Sequence, residues 1–239
     1  IRAAIDAERA SGIRHLIVDA IGDLDLRAIG EAAAGLALIT GGSGIALGLP
    51  ENFRRAGLLK PRPAPAFPRV SGRAAVIAGS CSNMTRAQVA RTEKAWPTRT
   101  IDPRQLAAGN SVVEETLAWA KSIGEGQPIL VYSSAEPGQV REIQDELGRD
   151  GAGAMVEHAM GRIAKGLRDQ GVSRLVVAGG ETSGAVVKAL DIKALRIGPE
   201  IDPGVPWTEA LGGKPLALAL KSGNFGGEDF FEKAHGMLP

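Results

Sequence analysis

Three times after residue 72 this 239-residue chain runs a short apolar stretch into a loop of glycines and small hydroxyl or amide residues, and each time a helical pattern follows. The loops read Gly79-Ser80-Cys81-Ser82, Gly179-Gly180-Glu181-Thr182-Ser183-Gly184 and Lys221-Ser222-Gly223-Asn224-Phe225-Gly226-Gly227. Apolar runs of four to six residues have the length of fully buried strands, and their alternation with helices joined by tight glycine turns predicts an α/β fold with a largely parallel sheet. Right-handed crossovers then gather the loops that follow the strands along one edge of the sheet, where α/β proteins bind ligands.

The remaining chain extends this pattern. Strands are expected at 14–18, 36–39, 73–78, 98–101, 128–132, 175–178, 194–197 and 216–220. Helices are expected at 1–10, 24–34, 45–56, 85–94, 111–121, 138–147, 154–169 and 185–190, with a last one from about 228. The segment Lys-Pro-Arg-Pro-Ala-Pro-Ala-Phe-Pro at 60–68 interrupts the alternation with a semi-rigid, extended stretch. It divides the chain into a partial α/β domain at 1–60, a linker at 61–71 and a main domain at 72–239. The opening IRAAIDAERASG reads as the middle of a helix with neither an initiating Met nor a cap, as in a piece of a longer protein.

Composition narrows the function. A net charge of +1 with 23% charged residues gives no excess suited to nucleic acid or an anionic membrane. No apolar run reaches membrane-spanning length. The single cysteine, Cys81, rules out an intrachain disulfide and fits a cytoplasmic location.

Glycine lets a backbone approach an anion and reach positive φ; Ser, Thr and Asn supply donors; a following helix adds free N–H groups and its dipole. One such loop is more often a packing device than a ligand site. Three on one sheet edge point to an anionic ligand, a phosphate or a nucleotide. The P-loop pattern is absent. Gly42-Ser43-Gly44 with Gly48 approaches a dinucleotide fingerprint with its third glycine one place late, which keeps an oxidoreductase as the alternative. Histidines 15, 158 and 235 are scattered and read as structural, and Cys81 has no partnered histidine. The proline- and glycine-rich segment 198–207 reads as a shaped loop walling the pocket, with Trp207 nearby. Glu181 and Asp202 are the acidic candidates for holding Mg²⁺, and Glu228 and Asp229 suit the first turn of a helix.

TGGSGIALGLP, the proline-rich segment, IAGSCSNMTRAQV, VVAGGETSGAVV, IGPEIDPGVPW and LALKSGNFGGEDFF follow one another in this order. Together they resemble the four-carbon acid sugar kinase family, over nearly the whole chain. The resemblance implies an ATP- and Mg²⁺-dependent transfer to a small sugar acid such as threonate, erythronate or 3-oxo-tetronate. It implies nucleotide contacts from Gly79, Ser80, Ser82, Gly179, Gly180, Glu181, Thr182, Ser183, Gly184, Lys221, Ser222, Gly223, Asn224, Phe225 and Gly226, with Lys221 offsetting phosphate charge. Residues 1–60 become the end of an acid-sugar-binding domain, where Gly42, Ser43, Gly44 and Asp19 are the substrate-side candidates. The family's Asp-Asp-x-Thr-Gly motif is absent, so the catalytic base falls outside this chain. A binding domain without catalytic turnover is a further alternative, and a homodimer would cover apolar surface left on residues 1–60.

Overall fold

The computed structural model describes residues 1–60, 67–124, 126–133, 142, 145, 146 and 148–238. The helix expected at 138–147 and the first six linker residues, 61–66, lie largely or wholly outside these. The chain forms two compact units, Ile1–Ala64 and Pro65–Pro239.

The first unit contains α1 (Arg2–Ala10), α2 (Asp23–Ala32), a 3₁₀ turn (Ser43–Gly48) and α3 (Leu49–Arg55). Asp25 opens α2 by accepting from the N–H groups of Ile21 and Gly22 at 3.0 and 3.1 Å. The strands expected at 14–18 and 36–39 have no ladder among the described residues. Their apolar residues permit an extended backbone, but a strand exists only through pairing. Without it Ile17 is 96% exposed and Leu38 84% exposed. The helix expected at 45–56 divides into the 3₁₀ turn and α3. A methyl group placed on Gly30 would fall 2.4 Å from the Gly48 Cα, so these glycines let the turn lie directly on α2.

The second unit is built on a seven-stranded sheet in the order β2-β3-β1-β4-β7-β6-β5. Its strands are β1 (Arg73–Ala78), β2 (Thr98–Thr100), β3 (Ile129–Tyr132), β4 (Val172–Ala178), β5 (Leu195–Asp202), β6 (Val205–Ala210) and β7 (Ala217–Lys221). Strands β2, β3, β1, β4 and β7 run parallel, and the β5–β6 hairpin adds two antiparallel strands beyond β7. The helices are α4 (Asn83–Thr92), α5 (Pro103–Ala107), α6 (Val112–Ser122), α7 (Arg149–Asp169), α8 (Gly180–Ala189) and α9 (Phe230–Met237).

Burial on both faces explains the uninterrupted apolar runs, and β1 is buried at all six positions. Alternation along it divides the core. Ala75 and Ile77 join Val113, Met160, Ile163, Leu167 and Val186 of α6, α7 and α8 on one face. Val76 and Ala78 join Val89 of α4 and Phe230, Phe231 and Ala234 of α9 on the other. The segment 198–207, expected as a loop, is instead most of the β5–β6 hairpin. Its prolines sit beside register shifts in an edge pair, where a missing N–H is tolerated. Trp207 is a core residue, 1% exposed, and its indole N–H donates to the Ala234 carbonyl at 3.1 Å.

Candidate nucleotide site

After β1 the chain crosses to β2 and β3 on one side of the sheet; β4 and β7 lie on the other. The helices that follow β1 and β4, α4 and α8, pack on opposite faces. The carboxyl ends of β1 and β4 therefore flank a point where the winding reverses, the usual crevice for ligands in such sheets. Two of the three glycine loops leave from these strands, and the third leaves from β7 beside β4.

In the first loop, the N–H groups of Gly79 and Ser80 donate to the Ala178 carbonyl at 3.0 and 3.2 Å. Ser80 Oγ accepts from the Ser82 N–H, and Ser82 Oγ accepts from the Thr85 N–H, both at 3.2 Å, which caps α4. Cys81 is half-buried and free, and the described structure assigns it no paired histidine.

The second motif is less of a loop than its composition suggests. Only Gly179 lies outside the helix, at φ +132°, and α8 begins at Gly180, five residues before the expected start. Gly180, Glu181 and Thr182 thus form its first turn, with N–H groups that have no acceptor among the described residues. Ser183 closes the first helical bond to the Gly179 carbonyl at 2.9 Å, and Gly184 lies exposed within the helix. A methyl group on Gly79 would fall 2.2 Å from the Thr182 Oγ1. The first and second loops therefore touch, through a glycine that no other residue can replace without a shift.

The third loop is held from beneath. Lys221 is 1% exposed, and its ammonium donates to Thr85 Oγ1 at 3.1 Å, the Ser222 carbonyl at 3.1 Å and the Gly223 carbonyl at 2.9 Å. Thr85 Oγ1 donates to the Gly223 carbonyl at 2.8 Å. The Gln88 amide reaches the carbonyls of Phe225 and Gly227 at 3.1 and 2.8 Å. The N–H groups of Gly223 and Asn224 have no acceptor among the described residues, while Phe225 N–H closes a turn onto the Ser222 carbonyl at 3.1 Å. A methyl group on Gly223 would fall 2.3 Å from Ser80 Oγ and 2.8 Å from Ser82 Oγ, so the third loop lies on the first. Gly226 adopts φ +78° against the Phe230 ring.

The expected phosphate-facing lysine is thus folded under its own loop, with all three of its N–H donors used. Thr85 and Gln88, which composition did not single out, are the partners that shape the loop. Their only signal is the i, i+3 spacing that places both on one face of α4. The β5–β6 turn also buttresses this loop. Asp202 accepts from the Gly227 N–H at 2.9 Å and pairs with Lys233, and Gly204, at φ +79°, lies against the Phe225 ring.

Those contacts change the reading of Asp202 as a metal ligand, because both of its oxygens are engaged. Burial pushes its carboxyl up, but the Lys233 hydrogen bond, the Gly227 N–H and the lysine charge together hold it below its ordinary value. Among the described residues no three His, Cys, Asp or Glu side chains gather as a metal cluster. Glu181 is exposed at the start of α8 and interacts with Glu157 of α7, whose carboxyl is pushed up by burial and by the Glu181 charge and hydrogen bond. His235 packs edge-on against Trp96 with centroids 5.6 Å apart, a structural setting as expected. Within the first unit, Asp19, Gly42 and Gly44 line one open hollow, and Ser43 is not part of its lining. Among the described residues no strand precedes Gly42, so the near-fingerprint lacks the strand–turn–helix frame that dinucleotide binding needs.

A mixed sheet whose parallel strands end in glycine turns and helix N-termini at the switch point defines an α/β domain of the kind that binds ligands there. The chain belongs to the family described as the nucleotide-binding C-terminal domain, which matches residues 75–231. The resemblance to four-carbon acid sugar kinases is borne out by its relatives. A Pseudomonas fluorescens protein named 3-oxo-tetronate kinase is 56% identical over 100% of this chain and 55% of its own length. A Cupriavidus necator protein of the same name is 55% identical over 96% of this chain and 53% of its own. The chain thus spans about half the length of these relatives. The crystal structure of Haemophilus influenzae protein HI1011, of the DUF1537 family, superimposes with a TM-score of 0.73 at 36% identity, over 100% of this chain and 57% of that one.

Proposed function

We propose that this chain supplies the nucleotide half of an ATP-dependent kinase for a four-carbon sugar acid, with 3-oxo-tetronate the first substrate to assay. The observation behind this is the mutual contact of three glycine loops at the switch point, with a glycine at each close approach. The names of the relatives supply the substrate class.

In this reading the N–H groups of Gly180, Glu181, Thr182, Gly223 and Asn224, with the α8 dipole, receive the phosphates. The hydroxyls of Ser80, Ser82 and Ser183 supply further donors, and Gly79, Gly179, Gly184, Ser222, Phe225 and Gly226 shape the walls. The γ-phosphoryl bond to ADP breaks as a bond to a substrate hydroxyl forms, and the hydroxyl proton leaves to a base that this chain does not supply. Mg²⁺ would neutralise phosphate charge, and Glu181 beside Glu157 is the acidic group left to face it. The hollow containing Asp19, Gly42 and Gly44 is the place to look for sugar-acid contacts.

A cytoplasmic location and a homodimer covering Ile17, Ile21 and Leu38 belong to the same proposal. Among the described residues no helix is long and apolar enough to cross a membrane.

Calorimetric titration with MgATP, MgADP and NADH tests the reading. Heat from the adenine nucleotides with none from NADH supports it. Tighter binding of NADH would move the assignment to an oxidoreductase. Nucleotide binding without phosphoryl transfer in the longer protein would leave a sensing domain.

A further inference from the structure

Lys221 is the most deeply buried cation of the site, and its ammonium, expected to offset phosphate charge from within the pocket, is held beneath the third loop instead. Its three N–H donors go to a hydroxyl and two carbonyls, all uncharged, and it forms no ion pair among the described residues. A buried ammonium without a carboxylate is costly, and such groups are ordinarily paired or neutral. Two of its acceptors belong to the glycine loop and one to α4, so the charge sits behind the loop whose Gly223 and Asn224 N–H groups have no acceptor among the described residues. No acidic side chain among the described residues is within ion-pair distance of it.

We propose that Lys221 is a positioning residue of the nucleotide site, an internal cation that ties loop 222–227 to α4 and whose charge is balanced by the bound phosphates rather than by an acidic side chain. This rests on the nucleotide reading above. Burial alone pushes the ammonium down to about 8. The titratable and charged groups on the packed elements are Cys81 before α4, Arg86 and Arg91 on α4, Arg174 on β4, Glu181 and Lys188 on α8, Glu228 and Asp229 in the loop, Asp202 beside it, and Glu232, Lys233 and His235 on α9; none is a cause of that depression. The free protein therefore gives up this charge more readily than an exposed lysine would. Phosphates that favour the charged form must draw a proton in when they bind.

The test is titration of the chain with MgADP, which cannot be turned over, across about pH 7 to 9.5. Affinity should fall about tenfold over that range, as expected for losing one charge near another at an effective dielectric constant of about 20. Titrations in two buffers of different ionisation enthalpy at pH 8.5 should show net proton uptake on binding. Lys221→Met should bind about tenfold more weakly at pH 7 with a flat profile. Lys221→Arg, which stays charged, should recover most of the affinity and also remain flat. A lysine with only a structural role would alter melting temperature and leave the affinity profile of the variant parallel to the original.

A flat profile without proton uptake in the unaltered chain would overturn the inference, and that measurement needs no variant to fold. An inflection that survives Lys221→Met, or moves with Cys81→Ala, would overturn it as well. Absence of any MgADP binding to the unaltered chain would remove the nucleotide reading and this inference together, whereas binding with a flat profile removes only the inference.

Discussion

The Thr85 hydroxyl lies 2.8 Å from the Gly223 carbonyl, closing a contact between positions 138 residues apart. It joins the helix after β1 to the loop after β7, although β4 stands between those strands. Replacing Thr85 by Val keeps the shape and removes both this hydrogen bond and one acceptor of Lys221. The loss should be about 1–3 kcal/mol of stability, the cost of buried polar groups left without a partner. Chemical denaturation would measure it, and Thr85→Ser should restore most of it.

Gly223 and Gly180 should respond differently to an added methyl group. At Gly223 it would fall 2.3 Å from Ser80 Oγ, so Gly223→Ala should displace the first loop and weaken nucleotide binding. At Gly180 no atom lies within 4 Å, and the residue opens a helix, so Gly180→Ala should leave the melting temperature unchanged or slightly higher. Any loss of MgADP affinity in that variant then reports a clash with the ligand itself, which calorimetry would detect.

Acidification should destabilise the second unit through His235. Burial, and then the Arg174 charge, lowers its pKa from the ordinary 6.5. A lowered value in the folded state means that the unfolded chain binds the proton first. Stability is therefore full above about pH 6.5 and is lost as the pH falls through the folded value. Urea denaturation midpoints between pH 7.5 and 5 should show this decline, and His235→Gln should flatten it. A slope unchanged by the substitution would point to other groups.

Asp202 should act as a clamp on the nucleotide loop. Asp202→Ala removes an acceptor from the Gly227 N–H and the partner of Lys233. Amide hydrogen exchange at Gly227 should accelerate, and stability should fall by about 1–3 kcal/mol. Asp202→Asn keeps an oxygen for the amide and should show a smaller change. Equal effects from the two substitutions would place the contribution in the charge instead.

Several features were legible because their cause is local. The apolar runs at β1, β3 and β7 mark buried strands, since burial on both faces demands continuous apolar side chains. Glycines at 179 and 226 mark backbone conformations that other residues avoid, and both have positive φ. Pro50 in the first turn of α3 suits a helix start, a local signal that the single helix expected over 45–56 passed over. Ser82, expected among the nucleotide contacts, also proves to cap α4.

Local chemistry failed where a distant partner decides the outcome. Residues 14–18 and 36–39 read as strands, but apolar sequence cannot supply the neighbouring strand that a ladder needs. The glycines and prolines at 198–207 signal a loop, yet β6 finds β7 and makes a hairpin of them. Lys221 reads as a cation for solvent or phosphate, and only the register that sets Lys221 beside Ala178 and below α4 turns it inward. By itself the sequence determined that this chain alternates strands and helices and which loops have the chemistry for an anion. The tertiary structure decided which loops meet and which side chains they consume, because strand order is chosen by packing across the whole sheet, whereas periodicity and turn chemistry act over a few residues.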